Sequence, residues 1–140
     1  MIPTTIAQIL QGASEIKLGA IRPTRDFNYV DDTVSAFVDL GKADENVLGN
    51  IYNAGSGREI SIENSVKLVA LQLNSDVRIN CDQDRLRPDK SEVERLLCSA
   101  AELTAATGWK PEKSLEDGLL ATIDWIRKSV NLTRASNYHL

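Results

Sequence analysis

Two runs of helical periodicity limit most strongly what this chain can fold into. Behind Ser61, a good N-cap, the apolar residues Ile62, Val66, Val69, Ala70 and Leu73 recur at the spacing of one helix face; Leu115, Leu119, Ile123 and Ile126 repeat the pattern near the other end. A helix with one apolar stripe must bury it against another layer. Everything that reads as strand is short. Residues 15–18, 25–30 (a short strand or extended segment), 50–54 and 77–80 are the candidates, the third ending at the loop Gly55-Ser56-Gly57. A further helix is expected over residues 3–11, with Pro3 at its first position, Ile6, Ile9 and Leu10 on one face and Gly12 ending it. Asp31 or Asp32 can cap a helix reaching about Gly41, with Val34, Phe37 and Val38 as its apolar face. Ser99 with Glu102 has the form of a capping box for a short helix ending near Gly108, and Ser114 with Asp117 resembles a second such start. The expected fold class is α/β, with a few short strands and four to five helices.

With 140 residues the chain suffices for one core, expected over residues 1–130 and followed by a polar tail at 131–140. No apolar run approaches the roughly 18 residues that span a bilayer, and no basic segment followed by an apolar stretch opens the chain. A cytoplasmic protein without a membrane partner is expected. A net charge of -4 argues against nucleic acid as the main partner, because phosphate neutralisation needs clustered Lys and Arg. Trp109 and Trp125 read as core residues rather than stacking platforms.

The chemistry-bearing residues are sparse. Cys81 and Cys98 have no metal-like spacing and read as free thiols; His139 stands alone one residue from the end. No glycine fingerprint opens a helix: Gly55 and Gly57 follow a candidate strand, but the third position holds Ile60. None of Tyr29, Tyr52 and Tyr138 is followed four residues later by Lys, so no local Tyr-Lys acid/base pair can form. Two arginine-bearing segments remain, Pro23-Thr24-Arg25-Asp26-Phe27 and Arg85-Leu86-Arg87-Pro88 with Ser91-Glu92-Val93-Glu94-Arg95. A guanidinium binds phosphate oxygens in a bidentate manner and stays charged, and a nearby carboxylate accepts from ribose hydroxyls. The same residues also read as solvated surface charges worth about 0–1 kcal/mol per pair.

Three blocks in order resemble the extended short-chain dehydrogenase/reductases, the NAD-dependent epimerase/dehydratase family. They are Leu18-Gly19 with Pro23 to Thr33, Asn50 to Gly57 with Ser61, and Arg87-Pro88 to Glu92-Val93 followed by Gly108-Trp109-Lys110-Pro111 and Leu115 to Leu119. The wording Arg-Pro-Asp-Lys-Ser-Glu-Val-Glu-Arg is most similar to nucleotide-sugar 4,6-dehydratases acting on UDP-N-acetylglucosamine-type substrates. The resemblance implies that this chain is the C-terminal, substrate-binding portion of such an enzyme, without the N-terminal Rossmann βαβ core. It also implies that Arg25 and Arg87 approach a nucleotide diphosphate, that Glu92 faces the ribose, and that Ile2-Pro3 borders the pocket. Asn53 would hold the local turn.

In that family the dinucleotide fingerprint and the Tyr-x-x-x-Lys pair lie upstream of these segments. The resemblance therefore implies no catalytic residue and no cofactor bound by this chain alone, although the full-length family uses NAD. The partner it implies is a nucleotide-diphosphate sugar. In the family, the helix after Asp32 and the strand at 51–54 pack on the Rossmann domain. Here their apolar surface would stay uncovered, so a homo-oligomer is expected. Two other readings are a non-catalytic assembly protein that docks on a full-length relative and an enzyme completed by a separate chain.

Overall fold

The computed structural model describes residues 1–86 and 92–129. The expected tail at 131–140, with Tyr138 and His139, lies outside them. In chain order the elements are α1 (Ile2–Leu10), β1 (Glu15–Leu18), β2 (Thr24–Arg25), α2 (Val30–Lys42), β3 (Ile60–Ser61), α3 (Ile62–Gln72), β4 (Arg78–Cys81), α4 (Ala101–Thr107) and α5 (Leu115–Ser129). Short 3₁₀ turns occupy Glu45–Val47 and Gln83–Arg85. The architecture is α/β, with five α-helices and four short strands among the described residues.

The two periodic helices set the main core. Val69 and Ala70 of α3 and Leu119, Ile123 and Ile126 of α5 pack with Ile6 and Ile9 of α1 and Ile16 of β1. Each fully buried Ile side chain here contributes about 1.5–3 kcal/mol. Ser61 caps α3 as expected, its Oγ accepting from the Asn64 amide at 3.1 Å. Ser114 does the same for α5: its Oγ accepts from the Asp117 amide at 3.0 Å and donates to Asp117 Oδ2 at 2.6 Å. Trp125, expected in the core, is 61% exposed. On α5 the inward stripe runs through Leu119, Ile123 and Ile126, and a residue two places after Ile123 is turned about 200° from it.

The strands form two small pairs. β1 and β4 are parallel, with Ile16 opposite Ile79; β2 and β3 are antiparallel, with Thr24 opposite Ser61 and Arg25 opposite Ile60. A third segment adds to the second pair. The Thr24 amide donates to Glu94 O at 2.8 Å, and the Leu96 amide donates to Thr24 O at 3.1 Å. Of the short strand or extended segment expected at 25–30 only Arg25 lies in a strand, the end of β2, and residues 50–54 join no ladder among the described residues. Ile51 there is 84% exposed, whereas Tyr52 packs against a second core of Ala36, Leu103 and Trp109.

That second core depends on Asp32. Tyr29, not an aspartate, is the N-cap residue of α2, and the Thr33 amide donates to its carbonyl at 3.1 Å. Asp32 is 4% exposed, and its two oxygens accept from the backbone amides of Glu112 and Lys113, each at 3.1 Å. Its carbonyl accepts from Trp109 Nε1 at 3.1 Å, which ties the indole to the same turn. The carboxylate also lies in the first turn of α2, where the helix dipole favours negative charge. α4 begins at an uncapped Ala100, so Ser99 and Glu102 do not form the expected box; the helix ends at Gly108, whose φ of 77° terminates it. Asp32→Ala strands two amides away from their acceptor and is expected to lower unfolding free energy by about 1.5–3 kcal/mol in urea denaturation. Asp32→Asn, which keeps one acceptor, is expected to lose less.

Candidate nucleotide-diphosphate site

Arg25 stands at the end of β2, where the chain is held on both sides by backbone pairing. Its Nη1 donates to Thr24 O at 2.7 Å and to Val93 O at 2.8 Å, and its Nη2 donates to Glu92 Oε1 at 2.8 Å. Arg25 and Glu92, named separately from the sequence, are thus brought together as one ion pair, with side chains 22% and 18% exposed. Arg87 lies outside the described residues.

The next residue anchors the site. Asp26 Oδ1 accepts from the Ser56 amide at 3.0 Å and from Ser56 Oγ at 2.6 Å. Asp26 Oδ2 accepts from the amides of Gly57 at 2.9 Å and Cys98 at 3.2 Å. One carboxylate therefore gathers three segments around Arg25. Gly55 permits this close approach: a Cβ there would lie 2.4 Å from the Cβ of Cys98. Gly57 takes a φ of 71°, which favours glycine. The amides of Ser56 and Gly57 serve Asp26, which explains why a glycine loop without the full fingerprint follows residues 50–54. The role of Asp26 was missed in the sequence, where its only signal was its place between Arg25 and Phe27.

A second ion pair braces the same sheet from outside. Arg95 Nη2 lies 2.6 Å from Glu59 Oε1, and Thr24 Oγ1 donates to Glu59 Oε2 at 2.6 Å. The hydrogen bond from Arg95, followed by that from Thr24, lowers the Glu59 pKa; the same pairing raises that of Arg95. The favourable effect of Glu59 is present above its unfolded pKa and fades as pH falls through its lowered folded value. Both groups face solvent, so salt screens them strongly.

An open cleft of about 410 Å³ runs between the 56–60 and 111–116 loops. It meets a hollow of about 100 Å³ at Phe27, Lys113 and Leu115, and Ile2 lines that hollow. Arg25 and Glu92 line neither. The cleft mixes Arg58 and Lys113 with Glu59, Glu112 and Glu116, so it concentrates no single sign of charge. Asn53 is exposed and makes no hydrogen bond among the described residues. No group of three metal-ligating side chains occurs among the described residues. No helix there is long and apolar enough to cross a membrane.

Residues 1–122 match the family described as GDP-mannose 4,6 dehydratase. The chain belongs to this family of NAD-dependent sugar-nucleotide epimerases and dehydratases. It is 36% identical over 123 residues to the GDP-6-deoxy-D-mannose reductase of Pseudomonas aeruginosa, covering 86% of this chain and 39% of that protein. Its fold matches the structure of RMD from Pseudomonas aeruginosa complexed with NADPH at a TM-score of 0.75 and 34% identity, over 88% of this chain and 40% of that one. It also matches the UDP-glucuronic acid 4-epimerase of Bacillus cereus in complex with UDP-glucuronic acid and NAD, at a TM-score of 0.78 and 25% identity, over 91% of this chain and 40% of the other. The chain thus spans about 40% of the length of these relatives. The family expectation holds at this level. The narrower one, a dehydratase of UDP-N-acetylglucosamine-type substrates, gives way to relatives of the GDP-6-deoxy-D-mannose reductase type. The wording around Arg87 had suggested the narrower group, but one short polar segment constrains a substrate less than a match across most of the chain.

The thiol of Cys98 is half-buried beside Asp26; burial, then the Asp26 charge, raises its pKa above the ordinary value. Thiolate is the reactive form. Cys81 is exposed and is expected to be labelled by a disulfide reagent at once. Cys98 is expected to lag behind it at pH 8 and to gain on it as the pH rises. Equal rates at pH 8 would show that the Asp26 junction is open in solution.

Proposed function

We propose that this chain is the C-terminal, substrate-side portion of a sugar-nucleotide dehydratase, epimerase or reductase, and that it holds the diphosphate end of a sugar nucleotide without catalysing a reaction alone. The observation that carries this reading is Arg25. Its guanidinium is fixed by two carbonyls and Glu92, remains partly exposed, and keeps Nε and one Nη2 hydrogen for an anion. A charge held in place before binding loses little side-chain freedom when the ligand arrives. Arg87 is assigned to the same diphosphate and Glu92 to the ribose. The solved relatives support this reading, since their structures contain NADPH or a UDP-sugar with NAD. Nicotinamide chemistry would belong to the remainder of such a protein.

A ligand that binds only the folded state raises its melting temperature. GDP or UDP at millimolar concentration is expected to raise Tm by a few degrees in differential scanning fluorimetry, while NAD produces no shift. Arg25→Ala and Arg87→Ala are each expected to abolish the nucleotide shift. No shift with either nucleotide would sink the binding claim.

A second reading, that the chain also serves in assembly, rests on α2. Val30, Val34, Phe37 and Val38 are 62%, 54%, 74% and 46% exposed and follow helical spacing along one stripe. Leu48 and Ile51 are further exposed apolar residues, at 72% and 84%. A surface of this kind favours association in water. Light scattering coupled to size exclusion is expected to give a mass above one chain at micromolar concentration, and Phe37→Glu is expected to return it to one. A sharp single-chain mass for the unaltered protein would defeat this second reading.

A further inference from the structure

We propose that the exposed face of α2 is completed by the α2 of a second copy, running antiparallel across a two-fold axis beside Phe37. This inference rests on the reading of α2 as an assembly surface and adds its occupant and orientation. At about 100° per residue, Val30, Val34, Val38 and Gly41 fall in one stripe, with Phe37 on one flank and Asp31 and Lys42 on the other. Asp31 and Lys42 are exposed and stand in the first and last turns of the helix. Neither makes an ion pair among the described residues. Gly41 is exposed, and a Cβ on it would meet nothing within 4 Å, so the packing of this chain alone does not require a bare backbone there.

That pattern is self-complementary in one direction only. A two-fold axis that reverses the helix sets each flank of α2 against the same flank of its copy. With the axis midway along the helix, Asp31 meets the partner's Lys42, and Val34 meets the partner's Val38. Phe37 meets its own counterpart beside the axis. Val30 sits over the partner's Gly41, where the missing side chain leaves room. Each helix N-terminus lies beside the other's C-terminus, an arrangement that the two dipoles favour. A parallel pair would instead set Asp31 level with Asp31, Lys42 level with Lys42, and the two N-termini together. An isologous contact uses the same patch on both chains, so assembly closes at two. The face is small beside a standard interface of roughly 20–30 residues a side, and a dissociation constant of about 1–10 μM is expected.

Sedimentation equilibrium of the full chain across the micromolar range tests this, with far-UV circular dichroism to check that each variant folds. The unaltered protein is expected to show a reversible equilibrium between one chain and two. Asp31→Lys and Lys42→Glu are each expected to weaken the pair about tenfold, because the dimer carries two copies of the contact and both become repulsive. The double variant Asp31→Lys/Lys42→Glu exchanges the signs, restores both contacts and is expected to recover most of the affinity. Gly41→Leu has open space in the single chain and adds a better helix former, so it is expected to raise the Tm of the single chain while weakening the pair about tenfold by crowding Val30. A double variant no tighter than the single ones, with Phe37→Glu still dispersing the assembly, overturns the antiparallel pairing and leaves the assembly reading standing. A mass that climbs past two chains does the same. If a charge variant fails to fold, undiminished pairing in Gly41→Leu overturns the proposal. A single-chain mass at every concentration overturns the assembly reading and this inference together, and leaves the face to a chain of different sequence or to the remainder of a longer protein.

Discussion

Capture of distant backbone amides by two aspartate carboxylates is the constraint on which the fold between its two cores depends. Asp26 and Asp32 lie six residues apart, on either side of the turn that leads from β2 into α2. Asp26 draws in the amides of Ser56, Gly57 and Cys98, and Asp32 those of Glu112 and Lys113. Neither target segment has regular structure of its own, so the carboxylates supply the acceptors that a ladder or helix would otherwise provide. A carboxylate is suited to the task because each oxygen accepts more than one hydrogen bond, and bonds to a charged acceptor are stronger than neutral ones. With strands of two to four residues, the chain has little sheet to organise it. These two side chains perform much of the joining that longer strands do elsewhere.

Arg25 inherits its position from that arrangement. It stands immediately before Asp26, so the clamp on residues 56, 57 and 98 fixes the backbone from which the guanidinium extends. The segment carrying Glu92 and Val93 then returns alongside β2 through the pairing of Thr24 with Glu94 and Leu96. The ion pair with Glu92 follows from this parallel approach, and the Glu59–Arg95 pair braces it from the solvent side. Removing the clamp would disperse the site even with Arg25 intact, because its donors are aimed by the backbone.

How much of this was legible depended on whether the information was local. Helices α3 and α5 followed from their apolar spacing and from Ser61 and Ser114, since a stripe and a cap lie within one stretch of sequence. Gly108 signalled the end of α4 for the same reason. Residues 50–54 looked like a strand, yet a strand exists only through a partner, and side-chain composition cannot supply one. Asp32 looked like an N-cap because an acid at a helix start usually faces water. Its real partners lie eighty residues away, a separation to which periodicity is blind. Arg25 and Glu92 could be named one by one from their chemistry. Their union, across 67 positions, could not be foreseen, and it alters what the site can do more than either residue does separately.

The exposed stripe of α2 gains meaning from the same geometry. Asp32 faces inward on α2, holding the 112–113 loop, and Ala36 one turn later packs with Leu103 and Trp109. One face of the helix is therefore fully engaged, and Val30, Val34, Phe37 and Val38 are left on another that nothing in the described residues covers. A helix pinned by a buried carboxylate cannot roll to bury that second stripe without abandoning two amides. The apolar surface is thus a consequence of how α2 is anchored, and whatever covers it must come to the helix rather than be met by it. Because Asp32 anchors α2 and Asp26 fixes the backbone of Arg25, the Arg25–Glu92 edge and the apolar face are tied to opposite ends of one short segment, residues 26–32.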